Sequence, residues 1–215
     1  MSFVLPSPSE IDNIIFDFGG VLFDIDYDAP VREFKKLGFS DFSTLYSKAN
    51  QSPLFDDLET GKAHKAEFLD LIRPFLPQGV TDEQIMDAWD SILLSIPRER
   101  AELVHDIKSS YRTFILSNTN SIHVASFEKM LDETIGLDWF KSGFEKVYYS
   151  NEINMKKPHP ETYLAVCGMS GLDPERTLFI DDSIQHVVGA VEAGLRGYWI
   201  DLSKEDILDV LGCWR

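Results

Sequence analysis

Asn13-Ile14-Ile15-Phe16-Asp17-Phe18-Gly19-Gly20-Val21-Leu22-Phe23-Asp24 is the stretch from which the fold can be read. Ile14, Ile15 and Phe16 form a short apolar run with β-branched residues, the pattern of a strand buried on both faces of a sheet. The run stops at Asp17, and a buried strand tolerates an acid there only when its carboxylate has a partner or a task. Gly19 and Gly20 free the backbone for a tight turn or for close approach to a ligand. Open α/β sheets bind ligands at the carboxyl ends of their strands. An Asp that merely caps its own loop leaves the same trace. The rest of the chain decides between the two.

From Tyr111 onward the chain alternates regularly. Phe114 to Leu116, Val147 to Tyr149, Leu178 to Ile180 and Gly197 to Asp201 predict further strands. Between them lie helical patterns: Ile122, Val124, Phe127, Met130 and Leu131; Glu161 to Met169 with Pro160 in the first turn; and Ile184, Val187, Val188 and Val191, closed by Gly194. Such alternation predicts an α/β fold, a Rossmann-like doubly wound parallel sheet of about five strands with right-handed crossovers. Between Tyr27 and Ser110 no strand signal stands out. The apolar spacing there predicts helices around Val31, Phe34 and Leu37, around Phe42, Leu45 and Tyr46, over Pro53 to Leu58, and around Phe68, Leu69, Ile72 and Phe75. A Thr81–Gln84 capping box precedes Ile85, Met86, Trp89, Ile92 and Leu93, and Pro97 opens a helix through Ile107. Connections in α/β units are short, so about 80 residues of helix after the first strand form a subdomain. The expected division is an α/β core of residues 1–24 and 105–215 with an α-helical cap, residues 25–104, over the strand end that bears Asp17.

The chain's 215 residues suffice for such a domain with one insertion. With 36 acidic against 20 basic residues, the formal charge of −16 excludes nucleic acid and anionic membrane surfaces as partners. A small phosphorylated substrate remains compatible if the pocket carries its own cations. No apolar run approaches the ~20 residues that span a bilayer. Residues 1–11 lack Lys and Arg and contain Pro6 and Pro8, unlike a signal peptide. Cys167 and Cys213 have no metal-like spacing and are expected to be buried or half-buried free thiols of a cytoplasmic protein. Either a monomer or a homodimer fits.

Three further polar clusters end predicted strands. Ser117-Asn118-Thr119 offers a hydroxyl and an amide to an anion at a helix N-terminus, or an ordinary N-cap. Met155-Lys156-Lys157-Pro158 concentrates positive charge beside the sheet; one lysine turned inward would neutralise a phosphate, and otherwise both are solvated. Asp181-Asp182 sets two carboxylates side by side at the end of an apolar strand, a conflict that a hard cation resolves. Mg²⁺ takes oxygen ligands, commonly one or two carboxylates plus substrate phosphate. Asp17 and Asp182 are the candidate ligands, with Asp181 acting directly or through a neighbour; the alternative for Asp182 is an N-cap. A carboxylate nucleophile, anion donors, a lysine and a metal site are what phosphoryl transfer requires.

In this order, Asp17, Ser117-Asn118, Lys157-Pro158 and Asp181-Asp182 resemble the motifs of the haloacid dehalogenase-like (HAD) hydrolase superfamily, in the subgroup with a helical cap after the first strand. Its phosphatases are the most similar members. The resemblance implies that Asp17 is nucleophile and Mg²⁺ ligand, that Ser117 and Lys157 bind the phosphoryl group, and that Asn118 orients substrate or nucleophile. It also implies Asp182 and the Gly19 backbone carbonyl as metal ligands. Gly19 departs from the pattern, since most family phosphatases have there a second Asp that protonates the leaving group and then activates water. General acid–base catalysis is typically worth ~10²–10⁴-fold. Three activities are compatible with that departure: a phosphatase for a small metabolite such as a sugar phosphate, with Asp24, Asp26 or His64 as partial substitutes; a metal-independent 2-haloacid dehalogenase; or a catalytically weak phospholigand-binding protein. The paired acids argue against the second.

Overall fold

The computed structural model describes the backbone of residues 3–49 and 53–214, and the side chains of these except 46–49, 53 and 54. Tyr46, expected on a helical face, lies outside the described side chains. Five parallel strands form the main sheet: β1 (Asn13–Phe16), β4 (Arg112–Ser117), β5 (Lys146–Tyr149), β6 (Thr177–Asp181) and β7 (Arg196–Trp199), in the order β5-β4-β1-β6-β7. A short antiparallel ribbon pairs β2 (Asp24–Ile25) with β3 (Leu93–Ser95). Between the ribbon strands run α1 (Ala29–Lys36), α2 (Phe42–Ala49), α3 (Pro53–Glu59), α4 (Lys65–Ile72) and α5 (Asp82–Asp90). After it come α6 (Arg98–Ile107), α7 (Ser121–Thr134), α8 (Leu137–Ser142), α9 (Ser150–Ile153), α10 (Pro160–Ser170), α11 (Ile184–Glu192) and α12 (Ile207–Leu211).

Strand alternation fills both faces of the sheet. Ile14, Phe16, Ile115, Leu178 and Ile180 point into one apolar cluster. Ile15, Phe114, Leu116 and Phe179 point into the other, against Tyr163 and Val166 of α10. The sheet order reverses direction at β1, the switch point where such folds open a crevice. Phe16 lies opposite Ile115 and Ile180, so Asp17, one residue on, falls between Leu116 and Asp181. The expected acids are therefore neighbours because of register alone.

The helices between β2 and β3 have their own core, centred on Phe34, Phe42, Phe68 and Trp89. Phe34 stacks on Phe42 at 4.1 Å and Phe39 on Phe75 at 4.7 Å. The Thr81–Gln84 capping box forms as expected, with reciprocal bonds of 3.2 and 2.9 Å. Ile122 of α7 packs into this cluster, joining it to the sheet domain.

Some local expectations fail for identifiable reasons. The expected absence of strand before Ser110 misses β3, which is only three residues long and partly exposed, too short for a period to register. Ile92 and Leu93 continue the apolar spacing of α5 but lie beyond its end at Asp90. The apolar residues of α6, Ala101, Leu103, Val104 and Ile107, join the sheet's cluster. Arg100 of the same helix binds Asp24 of β2 at 2.7 Å. The short helices α8, α9 and α12 had no clear periodic signal. Cys167 is buried as expected, whereas Cys213 is exposed, its neighbour Trp214 being the residue that turns inward.

Candidate active site

Lys157 is the point at which the strand ends meet. Its side chain is 1% exposed, and its ammonium donates to Asp17 Oδ1 at 2.6 Å and to Asp181 Oδ2 at 2.7 Å. The backbone holding it is fixed by Asn118, whose amide donates to the Lys157 carbonyl while accepting from the Lys157 N–H, both at 2.9 Å. Asn118 thus grips the lysine's main chain. Pro158 follows through a cis peptide bond. Ser117, the last residue of β4, is buried. Neither it nor Asn118 caps α7; Asn120 does, accepting from Ile122 and His123 N–H. The second lysine faces the other way. Lys156 pairs with Asp56 at 2.6 Å and Glu59 at 2.9 Å on α3.

Asp17, Asp181 and Asp182 bring carboxylate oxygens within 4.8 Å of one another. Their environments differ. Asp181 is fully buried and well supplied with donors: Ser183 N–H at 2.7 Å, Lys157 at 2.7 Å, and His186 Nδ1 at 3.1 and 3.0 Å from its two oxygens. A carboxylate only accepts, so Nδ1 carries the imidazole proton. Burial disfavours the charged form of Asp181, but Lys157 and His186 outweigh it and hold its pKa below the usual range. Asp182 receives no side-chain donor among the described residues. Its carboxylate lies against Gly20, where a Cβ would come within 2.6 Å of Oδ2. Gly20 also has φ +86°, a backbone conformation that favours glycine.

Burial pushes Asp17 up to about 6, with Lys157 opposing and Asp181 adding to the shift. Burial, together with the charges of Asp17 and Asp181, pushes Asp182 up to about 7. Burial also disfavours the Lys157 ammonium, but Asp17 and Asp181 prevail and raise its pKa. Once all three are ionised, the carboxylates around one ammonium leave two negative charges uncompensated. An all-oxygen donor set of that charge fits a hard divalent cation such as Mg²⁺. Asp17 and Asp182 are the carboxylates left open to it, since Asp181 is already occupied by its donors.

A Cβ at Gly19 would lie 3.1 Å from Ile25 Cδ1, so an apolar side chain stands beside this position and would have to give by a few tenths of an ångström. The three candidate substitutes are engaged elsewhere: Asp24 with Arg100, Asp26 with Arg32 at 2.6 Å, and exposed His64 at the N-terminus of α4. His186 is the residue that sequence reasoning missed. Its only trace is a histidine in the first turn after the paired acids. A recess of about 440 Å³ at the amino ends of the strands offers no comparable donor set. Its cations are already used, Arg112 by Glu145 and Lys108 by the Ser142 carbonyl.

With this geometry in view, likeness to known proteins is informative. A model for haloacid dehalogenase-like hydrolases matches residues 11–194. A D-ribitol-5-phosphate phosphatase of Bacteroides thetaiotaomicron is 31% identical over 190 residues, 87% of this chain and 91% of that protein. A glyceraldehyde 3-phosphate phosphatase of Pyrococcus furiosus is 29% identical over 119 residues, 55% of this chain and 47% of that protein. The crystal structure of an HAD family enzyme from Bacteroides thetaiotaomicron, in complex with magnesium and inorganic phosphate, superposes with a TM-score of 0.82 at 35% identity. It covers 93% of this chain and 98% of its own. No described helix is long and apolar enough to cross a membrane.

The raised carboxylates make a signed prediction. Asp17 and Asp182 hold their protons in the folded metal-free protein up to about pH 6 and 7, and in the unfolded chain only to about 3.8. Their contribution to stability is therefore full below the unfolded value and is lost as pH rises through that window. Mg²⁺ competes with those protons, so its stabilising effect should grow with pH. Thermal unfolding with and without Mg²⁺ is expected to show a larger shift at pH 8 than at pH 5; an equal or reversed shift would contradict cation binding by these acids.

Proposed function

The chain belongs to the haloacid dehalogenase-like hydrolase family, and from that premise we propose that it is a Mg²⁺-dependent phosphatase of a small phosphorylated metabolite. The ribitol and glyceraldehyde phosphatases among its relatives favour a sugar or polyol phosphate as the substrate class. One observation carries the reading. Asp17 is buried in a cluster that carries two surplus negative charges when ionised, its Oδ1 anchored by Lys157 and its Oδ2 without a side-chain donor among the described residues. A binding protein has no need of an acid so placed, and displacement of halide from carbon has no need of a divalent cation.

In this mechanism Asp17 attacks phosphorus in line. A bond forms from its carboxylate to phosphorus as the ester oxygen departs with the bonding electrons and takes up a proton. The product is an aspartyl phosphate on Asp17. Water then attacks the same phosphorus, releasing inorganic phosphate and restoring the carboxylate. An ammonium has three donors, of which Lys157 spends two on Asp17 and Asp181. The third is left for a phosphoryl oxygen, where charge must be neutralised as the group transfers. The buried Ser117 hydroxyl at the end of β4 is the second anion donor. Asn118 keeps the lysine's main chain in place. Mg²⁺ held by Asp17, Asp182 and the Gly19 carbonyl would offset the charge of the substrate phosphoryl group. Asp181 serves through Lys157. The five helices α1 to α5 form a cap that confines the substrate and selects its leaving group.

Two experiments bear on this. Hydrolysis of p-nitrophenyl phosphate is expected to need Mg²⁺ and to fall to background in EDTA and in Asp17→Asn; persistence in either would sink the proposal. The second concerns the missing acid. Gly19→Asp alone must displace Ile25, so the double variant Gly19→Asp/Ile25→Ala is the informative one. It should raise turnover of alkyl phosphates, whose leaving groups need a proton, by up to the ~10²–10⁴-fold typical of acid–base catalysis, and that of aryl phosphates much less. An equal effect on both ester classes, or none in a folded variant that still binds Mg²⁺, would show that the proton does not limit the reaction.

A further inference from the structure

Asp181 is the best-partnered group of the site, and one of its partners, His186, has no part in the chemistry above. His186 lies in the first turn of α11 and directs Nδ1 at both oxygens of the fully buried carboxylate, at 3.1 and 3.0 Å. Its own backbone is held, since the hydroxyl of the buried Tyr163 donates to the His186 carbonyl at 2.7 Å. The helix is also pressed onto the loop that carries Lys157. A side chain at Gly189 would collide with the Pro158 carbonyl, so only glycine permits α11 to approach so closely. Lys157 and His186 therefore reach one carboxylate from two elements in direct contact.

We infer that His186 is a positioning residue for Lys157, acting through Asp181. The ammonium sits between two carboxylates at nearly equal distances, 2.6 Å from Asp17 and 2.7 Å from Asp181. Its position depends on the relative pull of the two. The proton that His186 donates satisfies part of the Asp181 charge, which no solvent can reach. Without that donor, Asp181 draws the ammonium toward itself, away from Asp17 and from the phosphoryl oxygen it has to meet. Groups one step removed from a reacting centre commonly act in this way, by fixing the orientation of those that touch it. The inference rests on the phosphatase reading above and adds to it a residue outside the four strand-end motifs.

The test uses two replacements of similar size. Asparagine places its Nδ2 as many bonds from Cα as histidine places Nδ1, and so keeps a donor facing Asp181; leucine places a methyl there. In the full-length protein with Mg²⁺, His186→Leu should lower kcat for p-nitrophenyl phosphate by about 10- to 100-fold, the usual scale for such supporting groups, while His186→Asn stays within about threefold of wild type. The Mg²⁺ concentration for half-maximal activity should change little in either variant, because Asp181 acts through the lysine. Calorimetric titration with inorganic phosphate in the presence of Mg²⁺ gives a readout apart from turnover, and should weaken in the leucine variant only. Equal losses in both variants would mean that histidine serves packing alone, and wild-type kcat and phosphate affinity in His186→Leu would equally overturn the inference. A wild-type protein that binds phosphate but hydrolyses nothing would refute the phosphatase reading, leaving the phosphate titration of the two variants to decide the role of His186.

Discussion

A single buried ammonium between two buried carboxylates is the constraint on which the rest of this structure depends. Lys157 is 1% exposed, and an unpaired charge at that depth would be costly enough to be neutralised. It stays charged because Asp17 and Asp181 flank it, and these stay close because register sets β1 beside β6. Removing one partner of such a group strands the others, typically at a cost of about 3–5 kcal/mol. Burial of this kind is weak evidence for stability and better evidence for a task. The surplus negative charge of the three ionised acids gives that task its chemical character, since it suits a hard divalent cation.

The loop that delivers Lys157 also joins the two parts of the molecule. Lys156 is tied to Asp56 and Glu59 of α3, and Asn154 donates to the Thr60 carbonyl at 2.8 Å. On the opposite side of the cap, Ser126 of α7 donates to Asp90 at 2.5 Å, and His123 stacks on Trp89 at 4.8 Å. Burial pushes the His123 imidazole down to about 4, so it rests there neutral, as a ring in a packed seam. The cap is thus fastened beside both the lysine and the helix that follows Ser117-Asn118-Thr119. Its position and that of Lys157 are set by adjacent residues of the same segment.

The sheet was legible in the sequence because each strand is a short apolar run closed by a polar residue, and both features have strong physical causes. The acids could be named for the same reason, as groups that an apolar strand end does not tolerate without a partner, whereas the lysines showed only as a concentration of positive charge in an acidic chain. Which of two lysines turns inward was not written in the Lys156-Lys157 pair itself; the grip of Asn118 on the Lys157 main chain decides it. The ribbon of β2 and β3 was hidden because two- and three-residue strands are too short to show a period. His186 was hidden because a histidine on a helix has many harmless explanations until its distance to Asp181 is known. At Gly19, where the sequence departs from the pattern it resembles, the apolar neighbour Ile25 comes from a separate short strand and could only be found in three dimensions.

That Asp17 attacks phosphorus is the central claim, and the stereochemistry of phosphoryl transfer tests it most directly. A substrate made chiral at phosphorus with oxygen isotopes would be turned over in the presence of Mg²⁺, with transfer to an acceptor alcohol, and the configuration of the product determined. Two successive displacements, first by Asp17 and then by the acceptor, predict net retention. Net inversion would mean that the acceptor attacks the substrate directly, and would contradict an aspartyl-phosphate intermediate.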